Sequence, residues 1–215
     1  MSEIRVCQQI GIFERSELLV KSEKNGIVKK KWLEQGYRDF AIDGPDNLSV
    51  NQMAKKMGAS RSSFYYHFAE IDLFVDEMLS YHWNICMEYN QEGRNSCKTL
   101  VPDLYKILAQ YPIPLQFSRQ LFLNRHIPRY NYVFRKSYET SANMFLLKLF
   151  ADHLGLQLPE SDLKNLFLTL GEAWYSRLDP KDLSADTLQV HAEDILQNLI
   201  NLIDSGIYTK LRKTS

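Results

Sequence analysis

An all-α fold is predicted for this 215-residue chain by three observations. Apolar residues recur at one-turn spacing through most of its length, as helices with one buried face require. The main interruptions of that spacing are Gly or Pro residues, flanked by side chains suited to cap a helix. No segment alternates apolar and polar residues between hairpin turns, which a half-buried strand would need. The pattern predicts about nine helices and no internal repeat.

The segment from Leu48 to Phe68 reads as two short helices around a tight turn. Ser49 is placed to cap the first, its hydroxyl accepting from an orphan backbone N–H. Val50, Met53, Ala54 and Met57 give that helix one buried face, and Ala54 is small enough for a close crossing. Gly58 follows where the chain must turn left-handed, which costs Gly nothing. Ser60 caps the second helix, whose polar face offers Arg61, Ser62, Ser63 and Tyr66 while Phe64 and Phe68 point inward. No Asp or Glu occurs from Leu48 to Ala69. An acid-free helix-turn-helix is the element that places one helix in the DNA major groove.

Downstream, Ile71 to about Gln91 is a long amphipathic helix, broken by Gly93-Arg94-Asn95-Ser96. The next runs from Thr99 to Ala109 and is stopped by Pro112 and Pro114, which lack a donor and clash with a preceding turn. Pro114 to His126 is another, ended near Pro128. Asn131 to about His153 is long, with Gly155 as its C-terminal cap. Two final helices, Glu160 to Leu178 and Ser184 to Ile203, are separated by Asp179-Pro180-Lys181-Asp182, with Ser184 as N-cap and Gly206 as the stop. Leu163, Leu166, Phe167, Leu170 and Trp174 line one face of the first of these. Leu188, Ile195, Leu196, Leu199, Ile200, Leu202 and Ile203 make the second too apolar for a helix with a single buried side.

From about Ile27 to Leu79 the chain resembles the DNA-binding domain of the TetR family of bacterial transcription regulators. Gly36, Phe40 and Gly44, with Trp32 one turn earlier, are similar to the family's first helix. Gly44-Pro45-Asp46-Asn47-Leu48-Ser49-Val50 resembles the entry to its second. Met53-Ala54 with Gly58-Ala59-Ser60, and then Phe64-Tyr65-Tyr66-His67-Phe68, resemble its core and its aromatic signature. The matches hold fixed spacing over roughly a quarter of the chain. One position departs. Where the family usually carries a phosphate-binding Lys, this chain has Ile71 between Glu70 and Asp72.

The resemblance implies an extension at 1–23, a helix-turn-helix DNA-binding domain at 24–70 and a helical ligand-binding and dimerisation domain at 71–215. It implies a DNA interface of Ser49, Ser60, Arg61, Ser62, Ser63, Tyr65, Tyr66 and His67. Arg61 is suited to a bidentate guanine contact or to a phosphate, and Tyr65 and His67 resemble residues that hold phosphates. Ser49 combines a cap with a phosphate donor, and Lys55 and Lys56 are solvated or act at long range. It places an effector pocket among the body aromatics, with Tyr105, Phe117, Phe122, Tyr138, Phe145 and Trp174 as candidates, unless these only fill the core. It implies a homodimer joined through the last two helices, with Phe167, Leu170, Gly171, Trp174, Ile195, Leu199 and Leu202 at the contact. Gly171 and Ala173 are small enough for a partner backbone to approach.

Formal charge is zero overall, but Lys21, Lys24, Lys29, Lys30, Lys31, Arg38, Lys55, Lys56 and Arg61 concentrate basic character in the N-terminal part, the footprint a DNA-binding domain needs. Cys7, Cys86 and Cys97 have no paired spacing, which points to reduced thiols in a cytoplasm. No apolar run is long enough for a bilayer, and the N-terminus lacks a cleavage pattern. His82 and Cys86 share a helix face, but with Cys97 alone as a third ligand no metal is expected. The Arg119, Arg125 and Arg129 cluster either attracts an anion or lies on a solvated face. No nucleophile elbow, phosphate-cradling loop or paired-carboxylate site occurs, so neither an enzyme nor a cofactor is expected.

The function expected is a sequence-specific transcription regulator, a repressor released by a small molecule and acting as a homodimer on an inverted-repeat operator. Ligand would shift the helix beginning at Ile71 and change the spacing of the recognition helices. The alternative is an effector-independent, chromosome-organising DNA-binding protein on the same scaffold.

Overall fold

The computed structural model describes residues 25–204. Helix α1 occupies residues 25–43 and leads through a 3-10 turn, Pro45–Asn47, to α2 (Val50–Met57), α3 (Arg61–His67) and α4 (Ile71–Ser96). Beyond it come α5 (Tyr105–Leu108), entered through an irregular turn at Leu100–Leu104, and α6 (Pro112–Leu123). Helix α7 is one continuous rod built from Pro128–Ser141, a π-turn at Ala142–Leu146, and Leu147–Leu154. Helices α8 (Glu160–Arg177) and α9 (Ala185–Asp204) complete nine helices, with no strand, among the described residues. No described helix is long and apolar enough to cross a membrane. The expectations for residues 1–23, for Lys21 and Lys24, for the Leu202 side chain and for the stop at Gly206 lie outside the described residues.

The head is organised by aromatic side chains spaced along α1. Trp32 and Phe40 are fully buried, and Trp32 meets Phe64 of α3 edge to face at 5.3 Å between centroids. Phe64, Phe68 and Phe74 then pack on one another within about 5 Å. Gly36 lies in this cluster because no side chain fits: a Cβ there would stand 2.2 Å from the Phe74 ring. Met53 and Ala54 close the α2 side. Gly58 adopts φ 61°, the left-handed turn the sequence required. Since Phe74 and Met78 belong to α4, the head core extends past residue 70 and α4 serves both parts of the chain.

Four expectations about the elements are corrected by packing. Gly93 does not break α4: the helix runs on to Ser96, and Gly93 is buried because the Phe145 ring lies 2.4 Å from where a Cβ would be. The helix expected from Thr99 is interrupted at Val101, whose extended backbone (φ −120°, ψ 125°) is what a residue before proline prefers. Pro112 and Pro128 do not stop helices but occupy the first turns of α6 and α7, where the missing N–H would be unpaired anyway. Gly171 does not await a partner backbone. It faces inward, with the Tyr138 hydroxyl oxygen 1.4 Å from the position of a Cβ.

Gly171→Ala is therefore expected to destabilise the protein by about 1–3 kcal/mol through overpacking, although Ala for Gly in an open helix gains about 1 kcal/mol. Urea midpoints for the two proteins decide it, and an unchanged or higher midpoint would remove Tyr138 from this contact.

Candidate nucleic-acid interface and body cavity

Helices α2 and α3 present one continuous polar surface. Ser60, Arg61, Ser62, Tyr65 and Tyr66 are exposed, the two tyrosines at 55% and 69%. Ser60 caps α3 as expected, its Oγ accepting the Ser63 N–H at 3.3 Å, and Ser62 donates to the same oxygen at 3.1 Å. Ser49 occupies the N-cap of α2, yet its hydroxyl makes no capping bond, so the first N–H groups of α2 and the hydroxyl are left together at the surface. The exposed Asn51, which the sequence reading passed over, accepts from the Arg61 guanidinium at 3.3 Å and so orients it. Its signal was an exposed polar position on α2 adjoining the recognition helix.

Two predicted contacts are turned away from this surface. Ser63 is half-buried and its Oγ accepts from the Trp32 indole at 3.4 Å, tying α3 to α1. His67 is half-buried too, and burial, then the charge of Lys29, lowers its pKa, leaving it neutral. Tyr66 keeps its ring outside while its hydroxyl accepts from Asn25 of α1 at 3.3 Å.

Several basic residues of the head are already paired. Lys56 is exposed, as expected of a solvated lysine, and also binds the buried Asp39 at 2.8 Å. Lys29 binds Glu77 at 2.7 Å and lies 5.3 Å from the Phe68 ring. Ile71 packs half-buried against the core, and the acidic start of α4 is matched from the body: Arg129 of α7 reaches Asp72 at 2.9 Å and Asp76 at 3.6 Å. The expected arginine cluster is thereby dispersed, since Arg125 stacks over Phe122 at 4.2 Å and bonds its carbonyl.

Within the body, α4, α5, α7, α8 and α9 surround a cavity of about 90 Å3. Of the predicted pocket residues, Tyr105, Tyr138, Phe145 and Trp174 line it. Phe117 and Phe122 do not. Phe117 is fully buried between head and body, stacked on Tyr37 and Phe40 at 4.3 and 4.4 Å, and Phe122 packs on Phe134 and Tyr175. Five of the residues assigned to a twin, Phe167, Leu170, Gly171, Trp174 and Ile195, also line the cavity. Tyr89, Phe150 and Tyr175 complete the aromatic wall. Phe150 belongs to the aromatic set the sequence offers, whereas Tyr89 and Tyr175 do not stand out because helical spacing does not tell a cavity wall from filled core.

Between head and body sits a buried polar junction. His82 of α4 has no exposure. Its Nδ1 lies 2.7 Å from the Tyr37 hydroxyl of α1, and its Nε2 lies 3.1 Å from Ser118 Oγ of α6 and 3.4 Å from Cys86 Sγ. Burial lowers the His82 pKa to about 3 and raises that of Cys86 to about 12. With Tyr37 donating to Nδ1 and Nε2–H donating to Ser118, a neutral imidazole satisfies all its bonds. Both ring nitrogens are thus engaged, and Cys97 lies about 16 Å further along α4, so these residues do not form a metal site.

No family model matches the chain, and no curated protein matches it. Solved structures do. A candidate transcriptional regulator from Saccharomonospora viridis, in complex with choline, is similar at 14% identity with a TM-score of 0.59, over 80% of this chain and 96% of that one. The ketosteroid transcriptional regulator of Mycobacterium tuberculosis is similar at 16% identity and TM-score 0.51, over 79% and 93%. A TetR/AcrR-family transcriptional regulator from Aquifex aeolicus gives 16% and 0.50, over 81% and 99%. The fold is that of the TetR-type regulators.

The junction has a pH signature. An unfolded histidine protonates near pH 6.5, whereas His82 in the fold holds off until about 3. Between those values the unfolded chain binds the extra proton, so stability is intact above about pH 6.5 and falls as the solution is acidified. Urea midpoints measured from pH 7 to pH 5 should drop by about 1 kcal/mol of stability per unit. His82→Gln, whatever its starting stability, should flatten that slope. A variant as acid-sensitive as the parent would put the effect elsewhere.

Proposed function

We propose that this protein is a sequence-specific DNA-binding transcription regulator. The observation that carries the reading is the α2–α3 surface: acid-free from Leu48 to Ala69, with Arg61, Tyr65 and Tyr66 exposed, Arg61 oriented by its bond to Asn51 and Tyr66 by its bond to Asn25. A short helix capped at Ser60 and projecting such side chains suits major-groove insertion. Ser49 and the first N–H groups of α2 suit a phosphate. The fold shared with TetR-type regulators supports the same reading.

The protein acts as a homodimer on an inverted repeat, in this proposal, with α8 and α9 meeting their twins. Because Phe167, Gly171, Trp174 and Ile195 face inward, the twin is assigned the outer side of the two helices. There Ala173 is exposed and Val190 is 60% exposed, while the half-buried Leu199 follows Ile195 by one turn on the inner side. The cavity is the effector site, and occupancy would shift α4 and weaken operator binding, making the protein a ligand-released repressor. That a neighbour of this fold is solved with choline supports a small-molecule ligand. The small volume, well under the roughly 300 Å3 of drug-sized sites, keeps an effector-independent DNA-binding role as the second reading.

The test is binding of the purified protein to DNA flanking its own gene, at two salt concentrations and with excess random competitor. Arg61→Ala is expected to weaken competitor-resistant binding by about 10- to 100-fold. Binding abolished by competitor, or indifferent to Arg61, would defeat the reading. In sedimentation, Val190→Arg should shift dimer to monomer at micromolar protein; an unaltered dimer would place the twin elsewhere.

A further inference from the structure

The body cavity has a consistent electrostatic character. No Lys, Arg or His lines it, and eight of its eighteen lining residues carry rings, among them Tyr89, Tyr105, Tyr138, Phe145, Trp174 and Tyr175. Three of the polar hydrogens nearby are already used within the protein. The Tyr138 hydroxyl donates to the Phe167 carbonyl at 3.1 Å, Ser141 to Ser137 at 3.0 Å, and the Trp174 indole to Leu188 at 3.0 Å. Apart from the hydroxyls of Tyr89, Tyr105 and Tyr175, the wall offers ring faces and oxygen lone pairs, both electron-rich. Two carboxylates stand just outside: Glu172 follows Gly171, and Glu193 follows Ala192. Burial first, and then the charge of Glu193, holds the Tyr105 phenol above its usual pKa.

Size narrows the ligand further. At about 10–15 Å3 for each water-sized occupant, the cavity of about 90 Å3 holds roughly six to nine non-hydrogen atoms. An anion would find no cationic side chain here. A primary ammonium would bring N–H groups that need several acceptors. A quaternary ammonium has no N–H to satisfy, is weakly hydrated, and binds aromatic faces through its positive methyl groups.

Resting on the reading of this cavity as the ligand site, we infer that it takes a compact quaternary ammonium cation, held by surrounding rings in place of a buried counter-charge. The test uses the full chain and three probes of one size and shape: tetramethylammonium, neopentyl alcohol and pivalate, carrying positive, zero and negative charge. Calorimetric titration should show tetramethylammonium binding about tenfold or more tighter than neopentyl alcohol, with pivalate not binding. Equal or tighter binding of the alcohol or of pivalate overturns the inference, as does failure of all three to bind. Phe145 is only half-buried, so Phe145→Leu preserves the fold while removing a ring. It should weaken tetramethylammonium about fivefold and leave the alcohol within about twofold. Undiminished cation affinity in that variant would also overturn the inference. Measuring DNA affinity with and without tetramethylammonium separates the two proposals: binding with no change at the DNA supports the cation site and removes its effector role.

Discussion

One imidazole holds the two halves of this protein in register. His82 lies on α4 with no exposure, and its two nitrogens bind Tyr37 of the head and Ser118 of the body. Around these bonds Phe117 stacks on both Tyr37 and Phe40, so the polar contact is enclosed by rings. The bonds cannot be exchanged for water without opening that stack, and leaving a buried donor or acceptor unpaired costs about 1–3 kcal/mol. The free energy linking two sites of an allosteric protein is of the same size. Any rotation of α4 that moves the head relative to α6 must therefore strain or break this junction, which makes it a discrete barrier between two arrangements and not a soft hinge.

Electrostatics in the head depends as much on subtraction as on placement. Formal charge counts Lys29, Lys56 and Arg129 as basic, but Glu77, Asp39 and the Asp72–Asp76 pair already engage them. The exposed pairs among them, those of Lys29 and Arg129, add little stability. Their effect is to fix side chains and to cancel far-reaching charge at the flanks of the helix-turn-helix. On the helix-turn-helix itself Arg61 and Lys55 make no ion pair with an acidic residue among the described residues and stand next to exposed phenols. The acidic start of α4 is tolerable at Ile71 for the same reason: Arg129 crosses from α7 to neutralise it.

The head was legible in the sequence because its determinants are local. Gly58 needs a left-handed turn, Ser60 caps from its own residue, and Trp32, Phe40, Phe64 and Phe68 recur at helical spacing. The body was legible as helices but not as a site. Periodicity marks Phe117 and Tyr138 equally as inward-facing, and only tertiary packing sends one to the head junction and the other to a cavity. Proline and glycine misled for a related reason. Pro112 and Pro128 punctuate a helix at either end, and Gly93 and Gly171 were read as a break and as an opening to a partner. Each in fact makes room for a ring from a distant segment, Phe145 or Tyr138.

That last exchange joins the cavity to the outer face of α8. Gly171 is small so that Tyr138 can press against the helix and bond its backbone at Phe167. Two residues on, Ala173 is exposed on the other side of the same helix. A helix is stiff across its own width, so displacement of Tyr138 by a bound molecule moves Gly171 and Ala173 together. Phe145 makes the corresponding contact with Gly93 on α4, four residues beyond Tyr89, and α4 carries His82 toward the head. Two aromatic side chains of α7 thus press on glycines of two different helices from opposite sides of one cavity. Both rings line that cavity, so one wall carries the contact with α8 and the contact with α4.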